Sequence, residues 1–343
     1  MAADPPSTDW HETPAPDEAE RFERYAEMLH QLQRKHDRTG GKGRALHRKA
    51  LLGAQATLEI LPDLPAEARV GLFAAAGTHA AYVRFSSGGA GRASDRRPDV
   101  RGLAVKVLGV PGKKLIRGLE HAPTQDFLFI QMSHLAFRDS AEFIAFVRAM
   151  SSPLLALPRL LDAFGLGVFG LIWRLRAALG PTGVTLARTS FYTALPIRMG
   201  AYAGKLSLVP MGAVADRPLP AGPDAHAADL AARVAEGPLR YSLRVQLFRN
   251  DADTPLEDAS VEWKEDVAPW IEVGRLTIPK QDPASPRGRK VADFVDRLSF
   301  DPWHALVDHR PLGDIMRARN VAYRVSVTER TAAPEPDGSE TFD

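Results

Sequence analysis

Seven short stretches of this chain read as β-strands, four before and three after one long helical block. Residues 54–61, 81–87, 102–108 and 126–131 have strand character. Strand-like alternation returns in 204–210, 241–248 and 270–278. The connections between them are long, which fits an antiparallel barrel or a strongly curved sheet with helical insertions. Two packed sheets are the alternative. The helical block runs from residue 140 to about 179. A further helix is expected over 17–37, ending at Gly40, Gly41 and Gly43. The fold class expected is therefore α+β, a closed antiparallel β-barrel with helical insertions.

A chain of 343 residues can bury a core as one large or two ordinary domains. No repeat, linker or composition break appears, so residues 19–330 are expected as a single domain. Residues 1–18 and 331–343 read as mobile tails. Net charge is +2 with no block of like charge, so nothing points to nucleic acid. Cysteine is absent, which excludes disulfides, zinc–thiolate sites and haem thiolate ligation. The N-terminal residues are polar and proline-rich, without the apolar core of a signal peptide, and a cytoplasmic location is the expectation.

Residues 153–179 raise the question of a membrane. Their longest uncharged run, 163–173, is far shorter than the roughly 20 residues needed to span a bilayer, so a span is rejected. Arg159, Arg174 and Arg176 beside Phe164, Phe169, Ile172 and Trp173 suit an interfacial amphipathic helix, a peripheral membrane contact. Helices that cover the core or a subunit contact are the other reading.

Near the C-terminus Tyr323 has Arg319 four residues before it and Arg330 seven after. A phenol ligates haem iron as phenolate, its ordinary pKa is about 10, and a nearby guanidinium favours the anion. Six tyrosines among 44 basic residues will also produce this spacing by chance, and a tyrosine packed on a core strand is the plain alternative.

Four blocks, in order, make the chain resemble the haem catalase family, in its short, catalase-related branch. They are the segment from Arg44 to Lys49 around His47; Arg84-Phe85-Ser86 with residues 97–106; residues 126–143; and a long series through Gly274, Pro302 and Tyr323. The most specific is the second, similar to the family's RFS…RDxRGxAVK signature. The resemblance covers most of residues 20–330 and implies a catalase-like barrel, a minimal core without the family's C-terminal extensions.

By matched position the resemblance implies haem, of the b type, with Tyr323 as proximal iron ligand and Arg319 keeping it anionic. It makes His47 the distal acid–base group, with Ser86 the small hydroxyl residue beside it. An imidazole near its ordinary pKa of about 6.5 can accept and return a proton at neutral pH. Phe143 would lie against the porphyrin, and Arg44, Arg84 and Arg330 would bind the propionates. Gln131 falls where the family has an asparagine that donates to bound peroxide, and Ser133 where it has proline. Glutamine keeps the donor but is a methylene longer, so peroxide is expected to be held less rigidly; about 1 Å of misplacement can cost roughly 10²-fold in rate. Each residue also has a plain reading: a surface arginine, a core phenylalanine, a structural serine, a solvent-facing glutamine. His134 lies close enough in sequence to reach the pocket, with a structural role as its plainer reading.

The implied function is a haem-dependent oxidoreductase that consumes hydrogen peroxide or an organic hydroperoxide through a ferryl state, then reduced by a second peroxide or an organic electron donor. One alternative is an isomerase or lyase of fatty-acid hydroperoxides, like the catalase-like allene oxide synthases, with a lipid hydroperoxide entering along the apolar 153–179 segment. Another is a non-enzymatic haem-binding protein. Relatives are commonly oligomeric, so a homo-oligomer is expected.

Overall fold

The structure, a computed structural model, describes residues 5–179, 183–330 and 332–342. Helix α1 (Glu18–Gly40) leads into β1 (Lys49–Ile60), β2 (Gly77–Ser87), β3 (Arg101–Leu108) and β4 (Thr124–Ile130). The helices α2 (Ser140–Met150), α3 (Ala156–Phe164) and α4 (Val168–Leu179) follow, then β5 (Phe191–Tyr192), β6 (Ile197–Met199) and β7 (Tyr202–Pro210). The chain ends with α5 (Ala225–Glu236), β8 (Leu239–Leu247), β9 (Trp270–Ile278), α6 (Pro286–Arg297) and α7 (Asp314–Arg330).

Among the described residues the strands form one antiparallel sheet in the order β5-β4-β3-β2-β1-β9-β8-β7-β6. A second pairing, β5 with β7, closes eight of them into a barrel, and β6 remains outside the ring on β7. The closed barrel with helical insertions is therefore what the chain forms. Period-two alternation sends Val83, Phe85, Val105, Phe127 and Phe129 into one core with Leu243 and Leu276. The cavity left among such side chains is about 10 Å³, barely room for one water. The lumen is thus a packed core, and chemistry belongs on the outer face. Tyr82, Arg84 and Ser86 of β2 alternate with the inward residues and point there.

Two local features shape that outer face near the β2 end. The β1–β2 ladder shifts register between Ala50 and Leu52, leaving Leu51 as an extra residue opposite Ser86 and Phe85. At Gly53 a Cβ would lie 3.0 Å from Val295 Cβ and 3.1 Å from the Ala292 backbone, so glycine lets α6 lie directly on β1.

Both end segments hold contacts with the body. Trp10 Nε1 donates to the Ala201 carbonyl at 2.8 Å, and Glu12 pairs with Arg310 and Arg317 at 2.7 Å each. At the other end Glu335 and Asp126 share the buried Lys106 ammonium at 2.6 and 2.7 Å, and the Phe342 ring packs on Tyr82 and Phe294. A few anchors fasten segments whose average composition is that of a free tail.

Candidate functional site

His47 stands just before β1 with φ 52°, a left-handed backbone that costs a non-glycine residue on the order of 1 kcal/mol or more. Its N–H donates to the Gly88 carbonyl at 2.9 Å, and its carbonyl accepts from Arg84 Nη1 at 3.0 Å, which fixes that turn. The ring Nδ1 is hydrogen-bonded to Ser86 Oγ at 3.0 Å. Gly102, paired with Ser86 across the β2–β3 ladder, leaves the room the imidazole fills. Burial pushes the His47 pKa down to about 3, helped by the charges of Arg84, Arg319 and Arg44. Part of the residue's surface stays exposed, yet burial and all three guanidiniums act the same way, against the imidazolium. His47 is therefore a neutral base at pH 7, well below the expected 6.5.

Arg84 is buried and Arg44 nearly so, and both converge on one carboxylate. Asp296 Oδ1 accepts from Arg84 Nε at 3.0 Å and from Arg44 Nη1 at 3.1 Å. Arg44 also donates to the Asp296 and Leu298 carbonyls at 2.9 and 2.7 Å. Burial raises the Asp296 carboxyl, but the two guanidiniums prevail and hold it below the ordinary carboxylate range. The close seat of α6 on Gly53 is what brings Asp296 over these arginines.

On α7, Arg319 Nη2 donates to Tyr323 Oη at 2.7 Å, and the guanidinium carbon lies 5.0 Å from the ring centroid. The (i, i+4) spacing on one helix makes this contact local. Arg319 Nη1 also reaches Met316 Sδ at 3.7 Å, while Trp303 Nε1 pins the Met316 carbonyl at 2.8 Å. Burial raises the Asp301 carboxyl to about 6, against the Trp303 N–H and the Arg319 charge. Arg319 thus links the phenol, Asp301 and, through its field, His47.

The remaining expected residues are placed differently. Gln131 is half-buried and its amide is engaged at both ends: Oε1 accepts from the Arg101 N–H at 3.2 Å and Nε2 donates to the Leu179 carbonyl at 2.9 Å. Its amide is spent on bridging the end of β3 to the end of α4. The Phe143 ring packs edge-on against Phe137 at 5.6 Å, in the cluster beneath α2–α4. His134 bonds Ser133 Oγ at 3.1 Å, and Ser133 bonds Glu262. The Arg330 side chain lies outside the described residues. Asp296, Asp301 and the role of Gly102 were not foreseen. Asp296 meets partners more than 200 residues away in sequence, and nothing local marks it.

Among the described residues no three His, Asp or Glu side chains converge on a metal position. A groove of about 420 Å³ lies between α6 and the C-terminal segment, lined by Lys290, Phe294 and Phe342 among others, and it holds none of the residues above.

The architecture belongs to a known class of β-barrel. It is catalase-like: a fungal catalase superposes with TM-score 0.66 at 17% identity, over 96% of this chain and 65% of that one. A bacterial catalase gives 0.64 and 16%, over 96% and 64%; catalase A from Saccharomyces cerevisiae gives 0.66 and 15%, over 96% and 68%. The chain thus spans about two thirds of the length of these catalases. No family model matches it, and no curated protein matches it by sequence.

Proposed function

We propose that this protein is a haem-dependent, peroxide-consuming oxidoreductase. The observation that carries the reading is the 2.7 Å hydrogen bond from Arg319 to Tyr323 Oη. The donor set suits haem: a phenol oxygen oriented by a guanidinium is the kind of oxygen donor that ligates ferric haem iron. Arg44 and Arg84, already gathered on the Asp296 carboxylate, are suited to propionates, with Asp296 standing in for them. Bound haem would supply the oxidising chemistry of O–O cleavage; the chain supplies ligand, proton handling and orientation.

His47 Nδ1 is occupied by Ser86, which leaves Nε2 to take a proton from a peroxide oxygen. Held neutral by burial and the three guanidiniums, the ring is available to accept that proton and pass it to the departing oxygen. Gln131, with its amide engaged on backbone, contributes little to gripping a small peroxide, which favours organic hydroperoxides over hydrogen peroxide. The test is the absorption spectrum of protein made with haem precursor, beside Tyr323→Phe. A high-spin ferric phenolate spectrum, altered or lost in the variant, is expected; a parent that stays haem-free after reconstitution would sink the reading.

A second reading is rearrangement of fatty-acid hydroperoxides, favoured by the exposed apolar surface of α3 and α4. It predicts a rearranged product without consumption of an electron donor.

A further inference from the structure

Nine of the eleven large apolar side chains exposed among the described residues fall between Met150 and Trp173. Leu154 is 94% exposed, Leu166 83%, Trp173 72% and Phe169 67%. The helices carrying them are apolar on two faces. On α4, Val168 and Leu171 face inward with Leu175 at helical spacing and pack with Ala136, Phe137 and Leu160. Phe169, Ile172 and Trp173 line the opposite side at the same spacing. On α3, Leu160 is buried while Leu157 and Leu161 look outward. A helix apolar on both faces is not the pattern of a water-facing cover.

We propose that the outer face of α3 and α4 docks flat on an anionic bilayer surface. By length and composition residues 156–176 could cross a membrane, but two features oppose it. Gly165, at φ +52°, breaks the segment into two helices, and their inner faces are pinned to the protein. The segment can lie in the interface without leaving the barrel. Charge selects the lipid. Arg174 lies 3.9 Å from Glu142 at the start of α2 and donates to the Ala136 carbonyl, but from residue 143 to residue 179 Arg148, Arg159 and Arg176 stand against Asp162 alone. Pairing this segment with its own copy about a two-fold would bring its net positive charge against itself, whereas anionic headgroups would neutralise it. Trp173, one residue before Arg174, suits the headgroup level, where tryptophan gathers. The docking requires no cofactor and stands apart from the haem reading.

Flotation of the full chain with vesicles of phosphatidylcholine, alone or mixed with phosphatidylglycerol, tests it. Binding to the mixed vesicles is expected, on the order of a hundredfold weaker to phosphatidylcholine alone. Trp173 emission should be quenched by brominated acyl chains, an effect lost in Trp173→Phe. The double variant L166E/F169E, at two exposed positions, should abolish flotation while the circular dichroism and melting profile are kept. No flotation by the parent, equal binding to both vesicles, or flotation unchanged in the double variant would overturn the proposal. So would a parent oligomer that ignores vesicles and dissociates in the double variant, which would make this face a subunit contact.

Discussion

A Cβ placed on Gly102 would lie 2.7 Å from His47 Cε1 and 2.8 Å from Nδ1. The ring's position is therefore set by the absence of a side chain on the neighbouring strand. Gly102→Ala is expected to displace the imidazole and break its bond to Ser86, at about 1–3 kcal/mol of overpacking. Peroxide turnover should fall on the order of 10²-fold with haem content retained. Unchanged turnover in the haem-loaded variant would show that the ring's placement does not matter.

Gln131→Asn tests a second contact. The shorter side chain cannot hold both the Arg101 N–H and the Leu179 carbonyl, so the end of α4 should loosen. Losing two partly buried hydrogen bonds predicts about 1–3 kcal/mol of destabilisation, read from urea unfolding. The parent itself is expected to evolve oxygen from hydrogen peroxide weakly relative to its peroxidase activity. Strong oxygen evolution would contradict the view that an engaged Gln131 amide weakens the grip on a small peroxide.

The barrel was legible because period two survives in strands such as β2 and β3, where Val83, Phe85, Leu103 and Val105 alternate with residues of the outer face. The expected helix over 17–37 appears as Glu18–Gly40. What escaped was either too short to carry a period, as in the two residues of β5, or long-range, as in Asp296 gathering Arg44 and Arg84. The Arg319–Tyr323 contact was readable because both partners sit one helical turn apart. The Gln131 bridge was not, since Leu179 is 48 residues away and on a helix.

Acid should destabilise the fold through His309. This ring is buried, accepts from the Leu72 N–H at Nε2 (2.9 Å), and burial pushes its pKa down to about 4. The native state binds fewer protons than the unfolded chain between about pH 6.5 and 4, so stability rises with pH across that window. The contribution is complete above about 6.5 and lost as pH falls through 4, on the order of 3 kcal/mol at about 1.4 kcal/mol per pH unit. Stability curves at pH 7 and pH 4 measure it. His309→Gln should flatten the difference, and an equal slope in the variant would assign it to other groups.

Glu335→Ala removes one of the two carboxylates on Lys106. Leaving a buried ammonium short of its partner predicts roughly 3 kcal/mol of lost stability and faster proteolysis of the C-terminal segment. A variant as stable and as protease-resistant as the parent would mean that the segment is held instead by Phe342 and by Glu340, which accepts from Tyr82 Oη at 3.1 Å.

The barrel's closure rests on very little backbone. β5 offers two residues, and its pairing joins Ile130 to Tyr192 on one side and Phe191 and Tyr192 to Leu208 and Ser207 on the other. Every other joint in the ring is a longer ladder, so the two short pairings of β5, with β4 and with β7, are the weakest joints of the ring by backbone hydrogen bonds. The residue that follows Ile130 is Gln131. The thinnest joint of the cylinder therefore lies one residue from the side chain that holds the end of α4, so a change in one would be felt by the other.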